Sequence, residues 1–211
     1  MNVERKYAAA AETFTEREYG DPERYFGRRA RIVAELGPPL EPGDRVLDLA
    51  AADASAAPPL LALGLAYSGL DLTEAMVEVA RARHVERIEI ETGDMLTHVP
   101  PEPVAATTCF RSLYFAPDRV AFLRHVAAYT GKKVLFDVDP RRRPLAEVRA
   151  ELAAAGFDRL AARPFFVPQH AALPAPVAAA LAAAEHVPPL ARLVLRARFS
   201  LVVAGYRSGT N

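Results

Sequence analysis

Residues 43–55 read GDRVLDLAAADAS, and the stretch changes character twice. Val46, Leu47 and Leu49 form a short apolar run with one carboxylate, Asp48, near its end, the pattern of a strand buried on both faces. A tight turn of small residues follows, Ala50-Ala51-Ala52-Asp53-Ala54-Ser55. Residues 56–65 are then a helical run in which Pro58 and Pro59 are tolerable only in the first turn. Strand, small-residue turn and helix is the layout at the crevice of an open α/β sheet. There the backbone must pass close to a ligand lying at the strand's carboxyl end.

Working outward, residues 3–17 read as a helix of mixed amphipathicity. A break at Gly20-Asp21-Pro22 follows, in which Asp21 suits an N-cap and Pro22 the first helical position. A second helix over 23–36 gathers Tyr25, Phe26, Ala30, Ile32, Val33 and Leu36 largely on one side. Downstream, strands are expected at 66–71, 87–92, 104–110 and 132–138. Between and after them come helices at 74–83 (capped by Thr73, with Ala75, Met76, Val79 and Ala80 buried), at 117–129 and at 145–155, the last stopped by Gly156. Two extended segments, 159–167 and 198–207, flank an Ala-rich, Pro-broken helical insertion at 168–195. Five strands alternating with helices specify a parallel, doubly wound sheet, and the last two an antiparallel hairpin at one edge. The expected organisation is one α/β domain over 1–211, with 1–43 as an N-terminal helical lid.

Composition narrows the function classes. The 211 residues are 51% hydrophobic and 25% charged, with 26 basic and 26 acidic side chains. Zero net charge supplies no field to steer the protein onto nucleic acid. Cys109 stands alone, so no internal disulfide forms, and no Cys/His cluster has metal spacing. The opening MNVERKYAAAAETF lacks the apolar centre of a secretory signal, and no uncharged apolar run approaches the ~18 residues of a span. The expectation is a cytoplasmic protein with no nucleic-acid or membrane partner, monomeric or homodimeric. None of the five histidines is placed as a catalytic base, and Arg141-Arg142-Arg143 reads as a solvated face.

Three acids, Asp48, Asp71 and Asp94, fall at the ends of successive strands, and in such a sheet those ends converge on one crevice. Asp71 lies about 20 residues past the turn, the spacing at which a carboxylate meets ribose hydroxyls. VLDLAAADAS at 46–55, YSGLDLTEAMVEVAR at 67–81, ETGDML at 91–96 and TTCFRSLYFAPD at 107–118 follow one another in order. FSLVVAGYR at 199–207 closes the set. On these motifs the chain resembles the class I S-adenosylmethionine-dependent methyltransferases.

The resemblance implies a seven-stranded Rossmann-like sheet with an antiparallel last strand. It implies S-adenosylmethionine as cofactor and methyl transfer to a small-molecule acceptor. It further implies cofactor contacts from Asp48, Ala50, Ala52, Asp71, Leu72, Met76, Asp94, Met95 and Phe110. In that family the N-terminal helices form a lid, which puts Tyr19 and Arg29 at the methionine carboxylate. Arg111 and Tyr114 follow the fourth strand, where substrate meets cofactor. The insertion, with Phe165, Phe166, Pro174 and Leu190, is the expected substrate wall. The Asn/Asp-Pro-Pro-aromatic element of enzymes that methylate amide or adenine nitrogens is missing, which argues against those acceptors.

One departure matters. The family's first motif carries three alternate glycines, and here they are Ala50, Ala52 and Ala54. A methyl at each position is easily borne if φ is negative and costly if it is positive. This departure motivates a second reading, a methyltransferase-like domain that has lost methyl transfer and serves as a binding or scaffold subunit or performs another reaction. A dinucleotide oxidoreductase would need the G-x-G-x-x-G turn, which the chain lacks.

Overall fold

The structure is a computed structural model that describes residues 10–84, 88–196 and 199–209. Seven strands form one sheet: β1 (Arg45–Leu49), β2 (Ala66–Asp71), β3 (Glu89–Thr92), β4 (Val104–Cys109), β5 (Thr130–Val138), β6 (Arg159–Phe165) and β7 (Ser200–Tyr206). Their spatial order is β3-β2-β1-β4-β5-β7-β6. The strands from β1 to β5 pair in parallel, and β7 lies antiparallel to both β5 and β6. The chain steps outward from β1 to β3, then returns to lay β4 against β1. That reversal opens a crevice above the carboxyl ends of β1 and β4.

The helices are α1 (Phe14–Glu18), α2 (Pro22–Glu35), α3 (Ala57–Leu61), α4 (Glu74–Arg83), α5 (Arg119–Ala127), α6 (Leu145–Ala154), α7 (Ala175–Ala184) and α8 (Pro188–Leu195). Strand alternation sorts the core into two layers. Val46, Leu135 and Val202 point to one face, where Ile32, Val33, Leu60 and Val77 from α2, α3 and α4 cover them. Leu47, Val134, Phe136 and Val203 point to the other, under Phe122, Leu123, Val148 and Leu152 from α5 and α6. Lys133 is fully buried on the first face, and its Nζ donates to the carbonyls of Ala34 and Leu36 at 3.1 and 2.9 Å. It thus caps the carboxyl end of α2, while burial pushes its pKa down to about 7.

Several elements differ in extent from the sequence reading. Asp21 caps α2 as expected, accepting from the Arg24 N–H at 3.1 Å. Within 3–17 the described part is a 3-10 turn (Ala11–Thr13) followed by α1, and residues 3–9 lie outside the described residues, as do Arg87 and Arg198. The helix expected over 56–65 ends at Leu61, because Gly64 at φ 80° turns the chain back into β2. In α4 the buried side is Met76, Val77 and Ala80, so Val77 replaces Val79 on that face. Thr73 occupies the N-cap position without a capping side-chain bond. The insertion is two helices bent by 113°, with Pro188 and Pro189 starting the second. Among the described residues no single helix is long and apolar enough to cross a membrane.

Candidate functional site

A cavity of about 580 Å³ opens above the carboxyl ends of β1, β2 and β4. It brings together the thirteen residues expected at the cofactor and acceptor: Asp48, Ala50, Ala52, Asp71, Leu72, Met76, Asp94, Met95, Phe110, Tyr19, Arg29, Arg111 and Tyr114.

The floor is the alanine turn. Ala50, Ala52 and Ala54 have φ of 58°, 51° and 56°, so the negative-φ alternative is overturned: the chain keeps a backbone that glycine suits. Left-handed φ brings Cβ against the following carbonyl and costs roughly 1–2 kcal/mol per residue. Hydrogen bonds hold the turn against that strain. The Ala51 N–H donates to the Leu70 carbonyl at 3.0 Å, and the Ala54 N–H to the Ala51 carbonyl at 3.0 Å.

Asp71 joins the turn to β2 and α4. Its Oδ2 accepts the Ala52 N–H at 2.8 Å and its Oδ1 the Thr73 N–H at 2.9 Å. Each carboxylate oxygen can still accept a second bond. Burial raises its pKa against the pull of those amides. Asp48 is more enclosed, at 7% exposure; Oδ1 accepts Thr108 Oγ1 at 2.6 Å and Oδ2 accepts Tyr67 Oη at 3.1 Å. Desolvation pushes its pKa up to about 6, with the two hydroxyls and Arg29 opposing. Asp94 is exposed at the rim, where Oδ1 accepts the Leu96 N–H at 2.9 Å. Between these acids stand apolar walls: exposed Leu72, and buried Met76 and Met95.

Arg29 projects from α2 into this site at 5% exposure. Its guanidinium carbon lies 4.2 Å from the ring centroid of Phe110, 4.7 Å from that of Tyr25 and 4.9 Å from that of Phe165. Nε and Nη2 are buried without a hydrogen-bond partner among the described residues. Asp137 Oδ2, 3.9 Å from Nη2, is the nearby counter-charge. A desolvated guanidinium with open donors is costly unless a ligand completes it. Tyr19 packs on Tyr25 and Phe26, with centroids 4.7 and 4.8 Å apart, and burial raises its phenol pKa. Arg111, exposed after β4, adopts φ 57°, and its N–H donates to Asp137 Oδ1 at 2.7 Å. Tyr114 stands at the mouth, largely exposed, against Phe115.

Sequence reasoning missed Asp53, Asp137, Phe14 and Gln169. Asp53, buried in the turn, accepts from Thr15 Oγ1 at 2.9 Å and from Arg83 Nη1 at 2.6 Å, so it clamps α1 and α4 together. Asp137 had a legible signal, an acid near the carboxyl end of KKVLFDV, the same pattern that marks Asp48. The expected substrate wall is corrected. Of residues 168–195 only Gln169 lines the cavity; Phe165 and Phe166 are core, and Pro174 and Leu190 are solvent-exposed elsewhere. The Ala-rich helices follow β6, the edge strand, which β5 and β7 separate from β4 and its crevice. Cys109 is buried, its thiol pushed up to about 12 by desolvation, an inert core residue. His125 bonds the His98 carbonyl at 2.8 Å and packs on Tyr129.

No protein-family model and no curated protein sequence matches the chain. Solved structures do. A methyltransferase-like chain in complex with the Haloferax volcanii Trm112 methyltransferase activator superposes with a TM-score of 0.65, at 21% identity over 96% of this chain and 98% of the other. The cyclase SpnF gives 0.63 at 18% identity, covering 98% of this chain and 96% of its own. Magnesium protoporphyrin IX methyltransferase from Synechocystis PCC 6803, with S-adenosylmethionine bound, gives 0.58 at 17%, covering 99% and 85%. With strand order, the antiparallel β7 and these superpositions in agreement, the chain has the fold of the class I S-adenosylmethionine-dependent methyltransferases.

Proposed function

We propose that the cavity binds S-adenosylmethionine and that the protein transfers its methyl group to a small-molecule acceptor. The observation that carries this reading is Arg29, a buried guanidinium that lines one crevice together with three strand-end acids. That donor set fits an amino-acid carboxylate at one end and a ribose and adenine at the other. Asp71 takes the ribose hydroxyls, Asp94 the adenine amino group, and Leu72, Met76, Met95 and Phe110 line the apolar faces. Asp48 and the backbone of Ala50 and Ala52 flank the amino-acid portion, with Tyr19 and Arg29 at the carboxylate. Arg111 and Tyr114 face the acceptor.

When bound, the cofactor supplies an electrophilic methyl on a sulfonium. The chain's own work is alignment and exclusion of water. The N-terminal segment ahead of the core-packed half of α2 serves as the lid, and its Phe14, Tyr19 and Phe26 line one side of the cavity. Residues 168–195 form an accessory insertion outside the crevice. No histidine is among the described residues that line the cavity, and a general base is needed only where the acceptor is weakly acidic. Zero net charge supports the lack of a nucleic-acid partner, and a cytoplasmic monomer or homodimer completes the proposal.

The strained alanines favour one competing reading, a domain that binds the cofactor without transferring methyl. Resemblance to a protein named as a cyclase shows that this fold is not tied to one reaction. Calorimetric titration with S-adenosylmethionine tests the proposal: saturable one-to-one binding is expected, and no heat at millimolar ligand would overturn it. Mass-spectrometric screening of small-molecule acceptors for a gain of one methyl then separates enzyme from binder.

A further inference from the structure

The bent pair α7–α8 is apolar on two sides. Its inner side, Leu181, Ala184, Ala191, Val194 and Leu195, packs on Phe166 and Phe199 in a small satellite core. Its outer side leaves Val187, Leu190 and Leu193 in solvent, Leu193 at 62% exposure. From His170 to Arg196 every exposed residue is Ala, Pro, Val, Leu, His or Arg. The one acid of this stretch, Glu185, is turned inward, where it pairs with Arg28 and accepts the Phe166 N–H at 2.9 Å. The exposed residues of the two helices themselves therefore include no carboxylate, while Arg192 and Arg196 stand exposed along and just beyond α8.

We propose that this face docks onto an anionic lipid bilayer, with both helices lying in the headgroup region. An apolar face edged by arginine and free of acids is the composition of an interfacial helix. Legs of 10 and 8 residues are too short to cross about 30 Å of hydrocarbon, so the contact lies on the membrane. The expectation of no membrane partner rested on the lack of a span, and a surface contact is a separate matter. A second copy of the chain fits less well. An isologous interface must be self-complementary, and here arginines would meet with no acid on the face to answer them. A protein partner would find small alanines and prolines, without the aromatic anchors that dominate protein interfaces.

Co-flotation with vesicles tests the proposal, and does so independently of cofactor binding. The full chain should float with phosphatidylcholine vesicles containing about one-third phosphatidylglycerol, and roughly twenty-five-fold more weakly with phosphatidylcholine alone, since each of the two arginines near an anionic surface contributes roughly fivefold in partitioning. The Leu190→Asp/Leu193→Asp variant changes two exposed positions, so it should unfold at the wild-type temperature yet lose flotation. Arg192→Glu/Arg196→Glu should lose the preference for the anionic lipid. The proposal is overturned if the wild type does not float, or if the aspartate variant floats equally well. It is equally overturned if sedimentation velocity shows a wild-type dimer that the aspartate variant breaks, because a second copy then covers the face.

Discussion

The Ala52 N–H donates to Asp71 Oδ2 at 2.8 Å, tying the middle of the strained turn to the end of the neighbouring strand. The bond explains how three alanines keep a backbone suited to glycine: the turn is held from β2 as well as by its own amides. It also gives Asp71 a structural duty beside the ligand contact proposed for it.

Ala52→Gly should relieve the left-handed strain. Glycine gives back part of the gain through unfolded-chain entropy, so the net stabilisation is about 0.5–1 kcal/mol. Ala54→Gly should gain less, because the Ala54 methyl is fully buried against the core and its packing is lost. Urea denaturation of both variants measures the difference; equal destabilisation by both would contradict the strain assignment.

Asp71→Ala leaves the Ala52 and Thr73 N–H groups without their acceptor. Two unsatisfied, partly buried donors should lower stability by about 1–3 kcal/mol, apart from any loss of ligand. Denaturation without ligand reads the structural share, and an unchanged midpoint would show that the turn does not depend on Asp71.

How legible was this site before the structure? The strand ends placed Asp48, Asp71 and Asp94 correctly because period-2 alternation and turn residues mark where each strand stops. The thirteen chosen side chains meet in one cavity for the same reason. The sign of φ at the alanines was not legible, since alanine has no strong preference that reveals a left-handed turn held by remote bonds. Asp53 and the buried Lys133 were missed because their partners, Arg83 and the end of α2, lie 30 and about 98 residues away in sequence. The insertion was misassigned as a substrate wall because its apolar composition cannot say which surface it covers.

Asp48 makes stability pH-dependent. Its native pKa, about 6, lies above the carboxyl's ordinary 3.8, so its contribution is fully present below about pH 4 and is lost as pH rises through about 6. The shift corresponds to about 3 kcal/mol at most, an order-of-magnitude figure. Asp48→Asn should remove this window, so the wild-type-minus-variant difference in stability falls between pH 4 and 6 and is flat above. A flat difference throughout would mean that Asp48 is ionised at its ordinary pKa.

Asp53→Asn should loosen the clamp on α1 by weakening the ion pair with Arg83 and the bond from Thr15. Amide exchange over residues 14–18 should lose about 1–2 kcal/mol of protection, with β5 unchanged. Unchanged exchange at α1 would show that the N-terminal segment is held by its aromatic contacts alone.

The central claim is that Arg29 receives the amino-acid end of the cofactor. It is tested most directly by the dissociation constants of S-adenosylhomocysteine and of 5′-methylthioadenosine, which lacks that end, for wild type and Arg29→Gln. The account predicts that Arg29→Gln weakens S-adenosylhomocysteine by about 1.5–3 kcal/mol, the worth of a hydrogen bond to a charged group, and leaves methylthioadenosine unchanged. Failure of the wild type to bind S-adenosylhomocysteine, or equal losses for both ligands in the variant, would contradict it.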